Sequence, residues 1–201
     1  MQRLSEGSSF GGLKKLFFLF TLMGTPLLVV ASLRYFPTAS NQGYAPVQPI
    51  PFNHEKHSTQ FSIPCLYCHS SAEKSRHASI PALGTCMNCH SIVKLDSPLI
   101  QTLRSAYFEK KPIEWVRVHE LPDYVYFPHK RHVLKGIDCQ VCHGDVQNMT
   151  RVEQKSSMTM GWCMECHRGK TAPQHVLKEA YPGVENPQGP VAPTSCSTCH
   201  R

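Results

Sequence analysis

The chain is 201 residues long, with 21 Lys and Arg against 14 Asp and Glu, a formal net charge of +7, 16 prolines, 12 glycines and 10 cysteines. Its positive excess is not gathered into a basic run interleaved with aromatics, which excludes a nucleic-acid-binding surface as the reason for it. The proline and glycine content points to short helices and loops, and so many cysteines in a chain of this size suit an oxidising compartment.

The front end reads as a membrane anchor. Residues 1–12 form a short polar, glycine-rich tail; Lys14 and Lys15 follow, and then Leu16 to Ser32 runs without a charge until Arg34. Taken over residues 13–34, this stretch makes a helix of about 31 Å, enough to cross a hydrocarbon core of about 30 Å. Gly24, Thr25 and Pro26 predict a kink, which lipid-embedded helices tolerate. Arg3, Lys14 and Lys15 outweigh Arg34, so the tail is expected in the cytoplasm and the rest of the chain outside it. Val29-Val30-Ala31 would serve as a signal-peptidase site, but the apolar run is longer than an ordinary signal core, and an uncleaved, single-pass anchor in the inner (cytoplasmic) membrane is the expectation. The span carries no ionisable residue, so it cannot by itself build a proton-handling quinol pocket. Residues 35–51 read as a linker.

From residue 52 onward one pattern recurs five times: Cys65-Leu66-Tyr67-Cys68-His69, Cys86-Met87-Asn88-Cys89-His90, Cys139-Gln140-Val141-Cys142-His143, Cys163-Met164-Glu165-Cys166-His167 and Cys196-Ser197-Thr198-Cys199-His200. C-x-x-C-H is the attachment site of a c-type haem. Two thiols three residues apart in a helical turn meet the two vinyl groups on one porphyrin edge, and the next histidine offers a nitrogen to the iron from below. Paired C-x-x-C also makes zinc sites, but zinc does not require a histidine after every pair. Disulfides would use the same ten thiols in five short bridges that staple almost nothing. The expectation is five covalently bound haem c, with their ten propionates offset by much of the Lys and Arg excess. The haems then stand in for most of an apolar core.

An internal repeat follows. Phe52-Asn53-His54-Glu55-Lys56-His57 precedes Cys65 as Phe127-Pro128-His129-Lys130-Arg131-His132 precedes Cys139, 75 residues on. Residues of about 48–95 and 123–170 thus form two copies of a two-haem unit, with a fifth haem carried by residues 181–201. Histidines three apart on one helical face have β-carbons about 5–6 Å apart. They cannot bind one iron from the same side, but each can reach a different iron. His54 and His129 are expected to serve the haem attached just downstream, and His57 and His132 a neighbouring one. His54-Glu55-Lys56-His57 is one residue too short for the zinc-binding H-E-x-x-H helix.

Counting ligands leaves one haem without a distal partner. His119, in the apolar and aromatic stretch Trp115–Pro122, is preferred; His77 and His175 sit in basic, polar surroundings and compete with it. Met160 and Met158, just before Cys163, are thioether alternatives, Met160 ahead of Met158, and such a ligand raises the potential of its haem.

The F-x-H-x-x-H…C-x-x-C-H unit of residues 50–170 resembles the class III cytochromes of the c3 and c7 group. With the N-terminal anchor, the two repeated units, the Val118–Phe127 lead-in, Met160-Gly161-Trp162-Cys163 and the terminal fifth motif, the chain resembles the pentahaem cytochrome subunits of alternative complex III. That resemblance implies a mostly irregular fold with short α-helices wrapped around five haems, behind one transmembrane helix. It implies a periplasmic domain at residues 52–201 carrying electrons from quinol oxidation to a downstream acceptor. It also implies partner subunits: an iron–sulfur subunit related to molybdopterin enzymes, polytopic quinol-binding subunits and a monohaem cytochrome. The chain itself then performs no bond chemistry. A stand-alone NapC-like quinol dehydrogenase and a multihaem reductase with one open iron are the competing functions. The second is disfavoured because distal candidates outnumber haems and all five motifs end in histidine.

Overall fold

The structure is a computed structural model that describes residues 9–35 and 40–200. Arg3 and the start of the tail, residues 36–39 of the linker and Arg201 lie outside the described residues. The chain divides into two compact units, Met1–Ser40 and Asn41–Arg201.

The first unit is one helix, α1 (Ser9–Tyr35), which continues through Pro26. Its Lys14–Ser32 segment is long and apolar enough to cross a membrane. The large apolar side chains from Leu16 to Val30 are exposed around it. The hydroxyls of Thr21 and Thr25 donate back to the carbonyls of Phe17, Phe18 and Thr21, and Ser32 donates to Val29, so these polar groups are satisfied within the helix.

The second unit is a succession of short helices joined by irregular chain. After a single π-turn at Glu55–Gln60 come α2 (Cys65–Cys68), α3 (Leu83–His90), α4 (Pro98–Phe108), α5 (His129–Val133), α6 (Cys139–His143), a 3₁₀ turn at Val146–Asn148, α7 (Met160–His167), α8 (Gln174–Ala180) and α9 (Cys196–Cys199). No strand occurs among the described residues, only an isolated antiparallel bridge between Val125 and His200.

The five cysteine motifs thus fall on α2, α3, α6, α7 and α9. Each of these helices is entered from an extended residue, Pro64, Ala82, Asp138, Thr159 or Ser195 in turn. In α2, α6 and α9 the first cysteine opens the helix, whereas in α3 and α7 it comes three residues in. Helix α4, which the sequence reading did not anticipate, starts with Pro98 at its first position, where a missing N–H costs nothing. It buries Leu103 and reaches back with Arg104 to the carbonyls of His90 and Ser91, closing the C-terminus of α3.

Residues 41–51, a linker by composition, are hydrogen-bonded into the second unit. Gly43 donates to the Gln154 carbonyl, Gln154 donates to the Tyr44 carbonyl, and the Gln48 amide pairs with both N–H and C=O of Val116. Gln154 is fully buried: its Oε1 accepts from the Glu120 N–H at 3.0 Å, and its Nε2 donates to the Ser156 carbonyl at 3.1 Å. One side chain therefore ties the linker, the His119 segment and the approach to α7 together.

The apolar core of the described residues is thin: Ile50, Ala72, Met87, Leu103, Met158, Ala172, Val176 and Leu177. Eight small or medium side chains cannot hold some 160 residues, since folded domains of about that size bury roughly two-thirds of their chain surface. The polypeptide is shaped to wrap other apolar bodies.

Candidate metal centres

Nine of the twelve histidines belong to the motifs or to the two H-x-x-H clamps. In both clamps the preceding phenylalanine fixes the rings alike. Phe52 meets His54 edge-on at 4.8 Å and stacks on His57 at 4.4 Å; Phe127 meets His129 at 4.9 Å and His132 at 4.4 Å. This match holds although the first clamp is a π-turn and the second is α5.

Backbone carbonyls then set the ring tautomers. Nδ1 of His69 donates to Ser79, of His90 to Val93, of His167 to Pro193 and of His200 to Tyr124. Nδ1 of His57 donates to Asn53, of His129 to Arg76 and of His132 to Pro128. A carbonyl can only accept, so Nδ1 carries the proton and the Nε2 lone pair is left for a metal. His54 departs from this: its Nδ1 is buried without a partner.

The rings also lie in pairs. His57 and His90 have centroids 6.2 Å apart, His132 and His167 6.2 Å, and His129 and His143 6.4 Å. Two imidazole nitrogens each about 2.0 Å from one metal, with ring centres about 1.1 Å behind them, give about 6.2 Å. These spacings fit one iron between each pair. A porphyrin brings its own four nitrogens, so two axial donors suffice. No cluster of three or more His, Cys, Asp or Glu that could hold a bare metal ion occurs among the described residues.

Burial favours the neutral form of four of the rings. Burial first, then the nearby His69 and His57, lowers His54 to about 4. Burial, then His119, His129, His69 and His54, lowers His143 to about 3. His132 and His119 are also lowered, chiefly by burial. A neutral imidazole is the form that ligates. Burial likewise pushes the Cys142 thiol up to about 11, with Cys166, Cys163 and Cys139 adding to it.

The remaining candidates separate by position. His119 sits against His143, Nε2 to Nδ1 at 3.1 Å. His175, exposed on α8, donates from Nε2 to the Gly136 carbonyl, the reverse of the ligand-ready tautomer. His77 is exposed, in a turn whose backbone is held by Ser75. Met158 is buried with left-handed backbone (φ 53°), and Met160 is exposed at the first position of α7. The carbonyls that orient the histidines, and Gln154, were invisible to sequence reading: a carbonyl acceptor carries no residue-type signal, and a lone Gln in polar chain looks solvated.

A family profile described as "Outer membrane cytochrome MtrC/MtrF-like, domains II/IV" matches residues 62–201. The "Menaquinone reductase, multiheme cytochrome c subunit" of Nitratidesulfovibrio vulgaris (strain Hildenborough) is 28% identical over 175 residues, an alignment covering 77% of this chain and 77% of that protein.

Proposed function

Since this chain belongs to the MtrC/MtrF-like family of multihaem c-type cytochromes, we propose that it is a membrane-anchored pentahaem subunit that carries electrons within a quinol-linked oxidoreductase of the alternative complex III kind. The observation that carries the reading is the set of three histidine pairs at 6.2–6.4 Å, each joining a clamp histidine to a motif histidine. The relative named as a menaquinone reductase subunit supports the quinone link.

In this reading each C-x-x-C pair bonds one haem, and the following histidine is its proximal ligand. His57 serves the His90 haem, His129 the His143 haem and His132 the His167 haem. By the repeat, His54 serves the His69 haem, which its electrostatic coupling to His69 supports. With His119 held by His143, His175 in the reverse tautomer and Met158 buried, the His200 haem is left by elimination to Met160, exposed at the start of α7. Haem iron would supply one-electron carriers; the chain's own residues orient the ligands, through the Nδ1–carbonyl bonds and the two clamp phenylalanines, Phe52 stacked on His57 and Phe127 tilted on His132. His119 serves as the hydrogen-bond acceptor of His143, in the place a carbonyl fills elsewhere. Helix α1 anchors the domain in the inner membrane with the haems on the periplasmic side. Partners are an iron–sulfur, molybdopterin-like subunit, polytopic quinol-binding subunits and a monohaem cytochrome.

Purification from membranes with intact-mass analysis tests this. Five haem masses on an unprocessed chain, co-purifying with polytopic subunits, are expected. A colourless protein with the mass of its amino acids alone overturns it, and a haem protein free of polytopic partners overturns the complex.

A further inference from the structure

Resting on the five attachment motifs proposed above, we infer that the groups they hold stand in a single row in the order Cys86, Cys65, Cys139, Cys163, Cys196, with a pseudo-twofold axis between the Cys65 and Cys139 motifs. Chain order and spatial order then differ. The first motif is interior, and the row ends at the second and the fifth.

Each step in the row has its own contacts. The Cys86 and Cys65 motifs meet where Asn88 Nδ2 donates to the Tyr67 hydroxyl at 2.8 Å and where Cys68 comes within electrostatic reach of Cys86. The π-turn clamp joins the same two, since His57 pairs with His90 while the adjacent His54 is coupled to His69. The Cys65 and Cys139 regions meet where Nδ1 and the N–H of His129 donate to the Arg76 carbonyl and Lys130 N–H to Ser75, and the Cys65 and Cys139 thiols come close enough to raise the Cys139 thiol, after burial. The Cys139 and Cys163 motifs are joined by α5, which pairs His129 with His143 and His132 with His167, and Cys142 faces Cys163 and Cys166. The Cys163 and Cys196 motifs meet at Cys163 and Cys199, and Nδ1 of His167 donates to Pro193 in the arm leading to α9.

The axis follows from reciprocity. Glu55 N–H donates to the Met149 carbonyl, and its repeat counterpart Lys130 donates to Ser75, the counterpart of Met149. The loop after each repeat's first motif therefore caps the other repeat's clamp. Cys65 and Cys139 are themselves counterparts, 74 residues apart, and counterparts that touch each other lie on the axis relating them. The four sites of the two repeats are thus symmetric about that contact. The fifth breaks the symmetry by extending the row beyond Cys163, and the sequence holds no sixth motif to extend it beyond Cys86.

The test is to locate the irons in the full-length haem-loaded protein, by anomalous scattering from crystals or by electron cryomicroscopy of the assembly purified from membranes. The expected nearest neighbours are the irons of His90 and His69, His69 and His143, His143 and His167, and His167 and His200, with those of His90 and His200 farthest apart. If the irons of His69 and His143 are not neighbours, or that of His90 is not terminal, the order is wrong. Fewer than five irons would instead defeat the pentahaem reading, so the two failures are distinguishable.

Discussion

Nε2 of His119 lies 3.1 Å from Nδ1 of His143, with the rings edge to face at 83° and centroids 4.4 Å apart. The four other motif histidines give the same nitrogen to a backbone carbonyl. Only His143 has its orientation set by a side chain that substitution can remove. An acceptor at Nδ1–H makes the imidazole a stronger donor to iron and holds the haem potential down. His119→Phe should therefore keep five low-spin haems and raise one potential by about 20–60 mV. That range follows from a hydrogen bond of about 0.5–1.5 kcal/mol and 59 mV per tenfold for one electron. Spectroelectrochemical titration reads it. If a low-spin haem instead turns high-spin, His119 is an axial ligand.

Substituting the clamp histidines singly should open one iron each without detaching a haem, because attachment is through sulfur. His57→Ala and His132→Ala should each yield one high-spin, carbon-monoxide-binding haem at unchanged haem mass. The effect should be equal for His54→Ala and His129→Ala. A variant that stays fully low-spin removes its histidine from the ligand set.

The haem proposed at the Cys196 motif supplies a sharper test of ligand type. If Met160 ligates the His200 iron, the oxidised protein shows the far-red sulfur-to-iron absorption of a His/Met haem. Met160→Leu should abolish that band and lower one potential, while Met158→Leu leaves both in place and acts on packing alone, since Met158 is buried. The absence of the band in the unaltered protein would leave histidine as the sixth ligand.

Some of this was written plainly in the residues. Five C-x-x-C-H motifs and two F-x-H-x-x-H clamps fix chemistry through spacing, and the structure brings His57 to His90, His129 to His143 and His132 to His167. The irregular fold of short helices, too, was legible from proline, glycine and the motif density. What escaped was carried by backbone. The acceptors Ser79, Val93, Arg76 and Pro193 work through their carbonyls, which any residue has. Helix α4 lies between the repeats, outside any motif. The placement of His119 depends on Gln154 holding Glu120, a contact 34 residues distant that no local pattern encodes.

Gln154 itself should be costly to replace. Gln154→Leu keeps the apolar volume but strands the Glu120 N–H and the Ser156 carbonyl in a place without solvent. Each unsatisfied buried group costs about 1–3 kcal/mol, so a loss of about 2–4 kcal/mol is expected in denaturant unfolding. Because His119 precedes Glu120, the same variant should move the potential that His119→Phe moves. Unfolding at the unaltered midpoint would mean that the Gln154 bonds contribute nothing net.

The seat of the C-terminal arm rests on one glycine, and a second glycine supplies its control. Gly169 follows α7 with φ +82°, and a Cβ there would run into the Gly189 backbone carbonyl; Gly183 has φ +81° with nothing within 4 Å of such a Cβ. Both lie in the left-handed region, where a side chain costs about 1–3 kcal/mol, so Gly183→Ala measures that cost alone. Gly169→Ala adds a clash with main chain that cannot swing aside. It must push away residues 189–193, which bond to α7 through Val191 N–H to the His167 carbonyl and through Nδ1 of His167 to Pro193. The expected outcome is faster proteolysis within residues 181–195 and a changed spectrum of the His167 haem in Gly169→Ala, with neither in Gly183→Ala. Equal behaviour of the two variants would show that the arm is not held against α7 at this point.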